Sequence, residues 1–345
     1  MRALILGGTG VIGRATARRL IDADWQVDVT GRDPAHLPRE LAEAGVRFHP
    51  AERSDPEALR DALGSGTDLL VDCVCYTAAD ARLLLPLAAR ADSTVLISSK
   101  AVYVDGAGNH SNSAAPPDYG GPVPETHPTL PPGEDVDYRS REGYGASKVA
   151  AELVALNSGL PISVLRPSRI HGAGANRPRE WVFVRRALDR RPAVLLAAGG
   201  TGVVHPTAAV NLAALIETVA RHPGTRVLNS ADPDAPCARE IARAIARQLG
   251  HAWREVPLDD AAPKGLGRTP WDAQHPVVLD TTASLNLGYR PVGDFAATVI
   301  ETVDWLYDAY RAGDPRRELP SPQDPYFADF FDYAAEDAYL ADQPR

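Results

Sequence analysis

Residues 2–13 read Arg2-Ala3-Leu4-Ile5-Leu6-Gly7-Gly8-Thr9-Gly10-Val11-Ile12-Gly13. A short apolar run ends in a glycine-rich turn, and an apolar-periodic segment follows to about Ile21. Strand, glycine turn and helix, in that order, make such a loop a dinucleotide site. Gly7 permits the tight turn, Gly10 the close approach of a pyrophosphate, and Gly13 the packing of helix on strand. The helix N-terminus turns its partial positive charge toward the phosphates.

Outward from this loop, segments at 26–30, 46–49, 68–75, 94–98 and 161–165 read as strands. Helical patterns lie between them, one opening at Asp55-Pro56-Glu57 and others over 78–91 and 148–156. This alternation predicts an α/β fold, a Rossmann-type doubly wound parallel sheet. After residue 170 the rhythm loosens. Helices are expected over 181–188, 208–221, 239–249 and 299–310, extended runs over 194–197 and 226–230, and a short helix capped by Asp280. The expected organisation is a dinucleotide-binding domain over 1–170 and a smaller α/β substrate-binding lobe over 171–313, with the chain crossing back to the sheet. An acidic tail over 314–345 carries Tyr326, Phe327, Phe330, Phe331, Tyr333 and Tyr339. Its aromatics predict docking on its own lobe or on a neighbouring subunit.

The chain has 345 residues, 44% hydrophobic and 23% charged, as expected of a soluble globular protein. A net charge of -9 argues against nucleic acid as a partner but leaves room for a local basic pocket. Cys73, Cys75 and Cys237 are too few for a disulfide framework and lack metal-ligand spacing, so no metal site is expected. With no leader-like segment and no apolar run of membrane-spanning length, no membrane association is expected and the cytoplasm is the expected compartment.

The second strand ends in Thr30-Gly31-Arg32. An acidic residue there would suit the ribose 2′-hydroxyl of NAD. Gly31 and Arg32 favour the 2′-phosphate of NADP instead, with NAD the alternative.

Two further stretches carry chemistry. Tyr144-Gly145-Ala146-Ser147-Lys148 sets a phenol one helical turn from an ammonium. A cation there favours ionisation of the phenol and fits it to exchange a proton with an alcohol or ketone. Taken alone, the pair proves little, and a solvated helix face is the plain reading. Ser98 and Ser99 end the strand over 94–98, and ligands of open α/β sheets bind at such carboxyl ends. A plain strand cap is the other reading. A loop over 104–143, rich in Gly, Pro, Asn and Ser, separates the two stretches, and a loop this long is usually functional or partly disordered.

Together these motifs resemble the extended short-chain dehydrogenase/reductases, the NAD(P)-dependent epimerase/dehydratase group. The matches are Gly7, Gly10 and Gly13; Ser99 within Ile97-Ser98-Ser99-Lys100-Ala101-Val102-Tyr103; and Tyr144 with Lys148 and Glu152. Arg166-Pro167 before Gly172, and Asp280-Thr281 through Leu287-Gly288-Tyr289-Arg290-Pro291, extend the resemblance over residues 1–310. It implies that Tyr144 is the general acid/base, that Ser99 holds the substrate oxygen, and that Lys148 binds the nicotinamide ribose. It further implies cofactor contacts from Gly7, Thr9, Gly10, Val11, Ile12, Gly13, Cys73, Val74, Tyr144, Pro167 and Ile170, and a homodimer through the helix carrying Tyr144 and its neighbour.

Departures from the family pattern narrow the reaction. Lys100-Ala101 stands where dehydratases carry an Asp-Glu pair, and Arg169 where many members have an Asn that contacts a substrate diphosphate. Gly202-Val203-Val204-His205-Pro206-Thr207 lacks the usual arginine and aspartate. The leading expectation is therefore hydride transfer at a secondary alcohol or ketone of a polar small molecule, sugar-like or a secondary metabolite. The alternatives are a cofactor-retaining nucleotide-sugar epimerase and a non-catalytic dinucleotide-sensing or RNA-associated regulator. Lys100, Arg169, His171 and His205 are the candidate substrate contacts, with Arg177 a further anion-binding candidate; for the two histidines a hydrogen bond within the lobe is the plainer reading. Trp181 and Trp271 either line the pocket or fill the core.

Overall fold

The computed structural model describes residues 1–259, 262–313, 319–320 and 324–342. The sheet region is built from β1 (Arg2–Leu6), α1 (Val11–Asp22), β2 (Gln26–Gly31), α2 (Arg39–Glu43) and β3 (Arg47–Pro50). It continues through α3 (Pro56–Leu63), β4 (Thr67–Asp72), α4 (Ala78–Ala88), β5 (Ala91–Ile97), α5 (Arg141–Leu156) and β6 (Ile162–Pro167). Next come β7 (Arg169–His171), α6 (Trp181–Leu188), β8 (Ala193–Leu196), β9 (Pro206–Ala208), α7 (Ala209–Arg221) and β10 (Arg226–Ser230). The chain closes with α8 (Ala238–Gln248), β11 (Arg254–Pro257), α9 (Thr282–Asn286), α10 (Phe295–Ala312) and α11 (Tyr333–Asp342).

Seven strands form one sheet in the order β10-β6-β5-β4-β1-β2-β3, every neighbouring pair parallel. Continuous apolar strands follow from this architecture, because helices cover both faces. One face packs Ile5, Val29 and Val71 against Leu20 of α1 and Leu212 and Val219 of α7. The other packs Leu4, Leu6 and Leu70 against Leu59 of α3, Leu84 of α4 and Ala151 of α5. The expected doubly wound sheet is present. Its seventh strand, β10, follows α6, β8, β9 and α7 in the chain.

The lobe has two small parallel pairs, β8 with β11 and β7 with β9. Around them α6, α8 and α10 enclose a core that includes Trp181, Phe183, Trp271 and Phe295. The Phe183 and Trp271 rings stack at 5.7 Å, so both tryptophans considered for the pocket are core residues. Phe327 of the tail is buried in the same core, with Tyr326, Phe330 and Phe331 packed against it. Arg186 pairs with Glu336, and Arg191 with Asp337. The tail thus docks on its own lobe, and it ends in α11, which the sequence reading did not anticipate. Tail residues 314–318, 321–323 and 343–345 lie outside the described residues.

One strand is shorter than expected. The run over 68–75 stops at Asp72, whose Oδ1 accepts from the Val74 amide at 2.9 Å while Arg53 Nη2 reaches Oδ2 at 2.6 Å. This turn competes with the ladder and bends Cys73 and Val74 out of the strand.

A buried pair joins lobe to sheet. His171 Nε2 lies 3.0 Å from Asp232 Oδ2. Asp232 Oδ1 also accepts from the Ala208 amide at 2.6 Å and from Asn211 Nδ2 at 2.8 Å. Burial pushes the His171 imidazolium down, but the Asp232 hydrogen bond and charge outweigh it and the net shift is upward. A raised folded value means the stabilisation is complete below about pH 6.5, the unfolded histidine's range, and fades as pH rises through the folded value. Thermal melts of wild type and His171→Gln between about pH 5 and 9 are expected to differ most at the acid end and converge upward. A gap that widens toward alkaline pH would contradict this assignment.

Candidate active site

The carboxyl end of β5 delivers Ser98 and Ser99. Ser99 Oγ accepts from the Ala101 amide at 3.2 Å and caps a single turn over Lys100–Val102. α5 starts nearby because Ser140 Oγ accepts from the Gly143 amide at 2.9 Å, an N-cap. One turn into that helix stands Tyr144. A Cβ on Gly145 would sit 2.4 Å from the Ala101 carbonyl oxygen. Only glycine lets α5 press this close to the turn carrying Ser99.

Lys148 is 2% exposed. Its ammonium donates to the carbonyls of Cys75 at 2.6 Å and Ile97 at 2.9 Å, and lies 4.5 Å from the Tyr76 ring centroid. The Tyr144 ring centroid is 5.9 Å away. Carbonyl dipoles and ring faces thus compensate a charge that burial alone would penalise.

A buried carboxylate fixes this arrangement. Glu152, two turns after Tyr144, accepts from Arg166 Nε at 3.0 Å and Nη2 at 2.5 Å, a bidentate pair, and also from Ser98 Oγ. Arg166 lies 4.9 Å from the Tyr103 ring centroid and donates to the Glu125 carbonyl at 3.2 Å. Tyr103 Oη donates to Asn229 Oδ1 at 2.7 Å. The carboxyl ends of β5, β6 and β10 are thereby tied to α5.

The glycine loop lies on the same sheet edge. Gly7 turns at φ +76°, and a Cβ there would sit 2.7 Å from Val74 Cγ1 and 3.6 Å from Cys73 Cβ. A Cβ on Gly13 would sit 2.4 Å from Gly8 Cα, so only glycine lets the helix follow the turn this tightly. Gly10 caps α1 without a side-chain hydrogen bond, which leaves first-turn amides for an anion. Gly31 abuts Thr9, and Arg32 is exposed just beyond it. Ile12 packs into the core beneath. This cradle fits a dinucleotide.

A cavity of about 850 Å³ opens from the loop toward the lobe. Ser99, Tyr144, Val11, Pro167 and Ile170 line it, as do Lys100 and Arg169. The loop over 104–143 supplies a wall through Ser111, Pro116 and Pro117. Its base is a turn in which Asp105 accepts from the Asp118, Asn109 and Ala107 amides. These bonds, that of Asp118 foremost, pull its carboxyl down to about 2. Lys100 is 9% exposed and donates to Ser111 Oγ at 3.2 Å. Burial, and after it the charges of Arg169 and Arg179, push the Lys100 ammonium down to about 7. Burial and then Arg179 push Arg169 down to about 10.

His171 and His205 do not line the cavity, which corrects their candidacy as substrate contacts and leaves the plainer reading, hydrogen bonds within the protein. His171 is held by Asp232, as above. His205 Nε2 donates to the Asp232 carbonyl at 2.8 Å, and its Nδ1 accepts from the Leu279 amide at 3.1 Å. Both nitrogens are occupied by the backbone, and none remains for substrate. Conversely, Arg141, Arg179 and Arg268 line the cavity without having been anticipated. They come from three separated segments, and no spacing in the sequence joins them.

The chain matches the model of the NAD dependent epimerase/dehydratase family over residues 3–229. It belongs to that family. The chain is therefore an NAD(P)-dependent oxidoreductase of the epimerase/dehydratase type. Among curated relatives of this family member, a probable dTDP-4,6-dihydroxy-2-methyloxan-3-one 4-ketoreductase of Streptomyces antibioticus is 27% identical over 72% of this chain and 77% of its own length. A 2'-dehydrokanamycin reductase of Streptomyces kanamyceticus is 36% identical over 29% of this chain and 28% of its own. Among solved structures, a dTDP-glucose 4,6-dehydratase from Bacillus anthracis in complex with NAD superposes with a TM-score of 0.67 at 15% identity. That match covers 92% of this chain and 100% of the other. The dTDP-glucose 4,6-dehydratase of Streptomyces venezuelae with NAD gives 0.65 at 22% identity, with the same coverage. At these identities the structures speak for the fold.

Removing Glu152 leaves Arg166 charged and buried without its partner. Glu152→Ala is expected to lose about 3–5 kcal/mol of unfolding free energy in denaturant titration. A loss below about 1 kcal/mol, the size of a surface pair, would show that the clamp does not hold α5.

Proposed function

We propose that the chain is an NADP(H)-dependent ketoreductase that reduces a ketone of a polar, sugar-like small molecule to a secondary alcohol. The observation that carries this reading is the convergence of Ser99 and Tyr144 on one cavity, with the Lys148 cation behind the phenol. Both curated relatives above are named as reductases, which supports reduction over epimerisation.

Each side chain has a role that its local bonding leaves open. Ser99 Oγ accepts the Ala101 amide hydrogen, so its own hydroxyl proton is free to donate to the substrate oxygen. Tyr144 delivers a proton to that oxygen as the carbonyl becomes an alkoxide. Lys148, anchored by two carbonyls, stabilises the negative charge left on the phenol oxygen. The glycine loop, Gly31, Cys73, Val74, Pro167 and Ile170 hold the dinucleotide, with Arg32 on the 2′-phosphate. The bound nicotinamide supplies the hydride. Lys100 follows Ser99 directly, where elimination would need a carboxylate, and this supports reduction over dehydration. α5 and α4 are proposed as the interface of a homodimer.

Tyr144→Phe is expected to lower kcat by about 10²–10⁴ while leaving cofactor binding nearly unchanged. Activity within about threefold of wild type would overturn the general-acid role. For the cofactor, Arg32→Ser is expected to weaken NADPH binding by roughly 10–100-fold and NADH binding little, read by fluorescence titration. An equal effect on both cofactors, or tighter NADH binding by wild type, would overturn the NADP preference.

A further inference from the structure

The sign of charge inverts between the molecule and its cavity. The chain carries a net charge of -9. Among the described residues, the cavity wall nonetheless carries six cationic side chains, Lys100, Arg141, Arg169, Arg177, Arg179 and Arg268, against one carboxylate, Asp272. Gathering like charges at a partly buried wall is unfavourable unless something of opposite sign sits among them.

Among the described residues, no carboxylate bonds the most buried of these cations, although the charges of Glu180 and Asp272 reach Arg169. Asp272 is committed elsewhere, Oδ2 to the Thr269 amide at 2.9 Å and Oδ1 to the Thr269 hydroxyl at 2.6 Å. At the rim, Arg268 leans on Asp329 at 3.6 Å, and Arg177 lies 5.5 Å from the Tyr326 ring centroid. Among the described residues, Lys100, Arg169 and Arg179, like Arg141, form no ion pair with a carboxylate. Lys100 donates to a neutral hydroxyl, Ser111 Oγ, and Arg169 Nη1 to the Pro270 carbonyl. The Nε of Arg179 is buried with no hydrogen-bond partner at all. A buried donor left unpaired is costly, and an oxyanion is the ligand that satisfies such a set.

We propose that this cavity selects a substrate bearing an oxyanion group, a carboxylate or a phosphoryl group, that is held by Lys100, Arg169 and Arg179 beside the carbonyl presented to Ser99 and Tyr144. The proposal rests on the ketoreductase reading only for the carbonyl's position; the anion site stands on its own wall. Because Lys100 directly follows Ser99 in the chain, the anionic group lies close to the reacting carbon. A polycationic substrate is repelled by the same side chains.

Lys100 also makes the site sensitive to pH. The groups facing it across the cavity are Tyr144 and Arg141 on α5, Arg169 on β7, Arg177 and Arg179 before α6, and Arg268, Asp272 and His275 opposite. With the ammonium held near 7, its charge is present at pH 6 and mostly lost at pH 8. Anion binding therefore weakens as pH rises.

Calorimetric titration of the full chain at low salt with sulfate and with oxalate tests this, since neither ion changes charge between about pH 6 and 8. At least one probe is expected to bind wild type, and Lys100→Met and Arg179→Met each to weaken that binding roughly tenfold or more. Wild-type binding is expected to weaken by up to about tenfold from pH 6 to pH 8, a dependence lost in Lys100→Met. Tighter sulfate binding assigns the site to a phosphoryl group, tighter oxalate binding to a carboxylate. No binding of either probe by wild type, which needs no variant to fold, would overturn the proposal, as would binding indifferent to both substitutions and to pH. Tyr144→Phe keeps every one of these charges and is expected to bind the probes as wild type does. Failure of the anion site and failure of the reaction are therefore read separately.

Discussion

The bidentate pair of Glu152 with Arg166 is the constraint on which the site depends. It lies two turns along α5 from Tyr144 and fastens that helix to β6, while the Ser98 hydroxyl binds the same carboxylate from β5. Ser99 follows Ser98, so one buried charge sets the spacing between two elements that carry Ser99 on one side and Tyr144 and Lys148 on the other. An ion pair this deep is expensive to desolvate, and apolar packing of the same shape serves stability as well. Its value here is directional, because a bidentate fork permits little rotation of the helix against the strands.

The same economy of contacts explains the lysine. Lys148 is buried where β4 and β5 end, and the carbonyls of Cys75 and Ile97 hold it from below. It stands with the Tyr76 and Tyr144 rings on its other sides. Lys100 occupies the opposite situation, facing arginines and a hydroxyl, and its charge is weakened accordingly. Two lysines on either side of one tyrosine thus have different duties, set by what surrounds each.

Much of this was legible in the sequence because it is local. The glycine loop, the alternation of strands and helices, and the Tyr144–Lys148 spacing each depend on residues a few positions apart. Arg226–Ser230 and Trp181–Leu188 match to the residue. What was not legible depends on distance in the chain. His171 looked like a substrate contact until Asp232, sixty-one residues on, claimed its ring. The cavity arginines come from α5, from the segment before α6 and from the stretch before α9, and nothing in their spacing announces that they meet. The tail helix α11 was missed because its anchors, Arg186 and Arg191, lie far upstream. The strand end at Asp72 was misjudged because a side-chain turn overrode an apolar run.

If the cavity joining Ser99 and Tyr144 serves ketone reduction, a hydride passes from the nicotinamide to the ketone carbon with net oxidation of NADPH. Deuterium transfer tests it most directly. NADPH carrying deuterium at both C4 positions of the nicotinamide is incubated with the chain and a set of anionic keto-sugars and keto acids, and the products are read by mass spectrometry. One deuterium is expected on the new carbinol carbon for each NADPH oxidised. Turnover with no net NADPH oxidation and no label in the product would contradict it and indicate an epimerase that retains its cofactor.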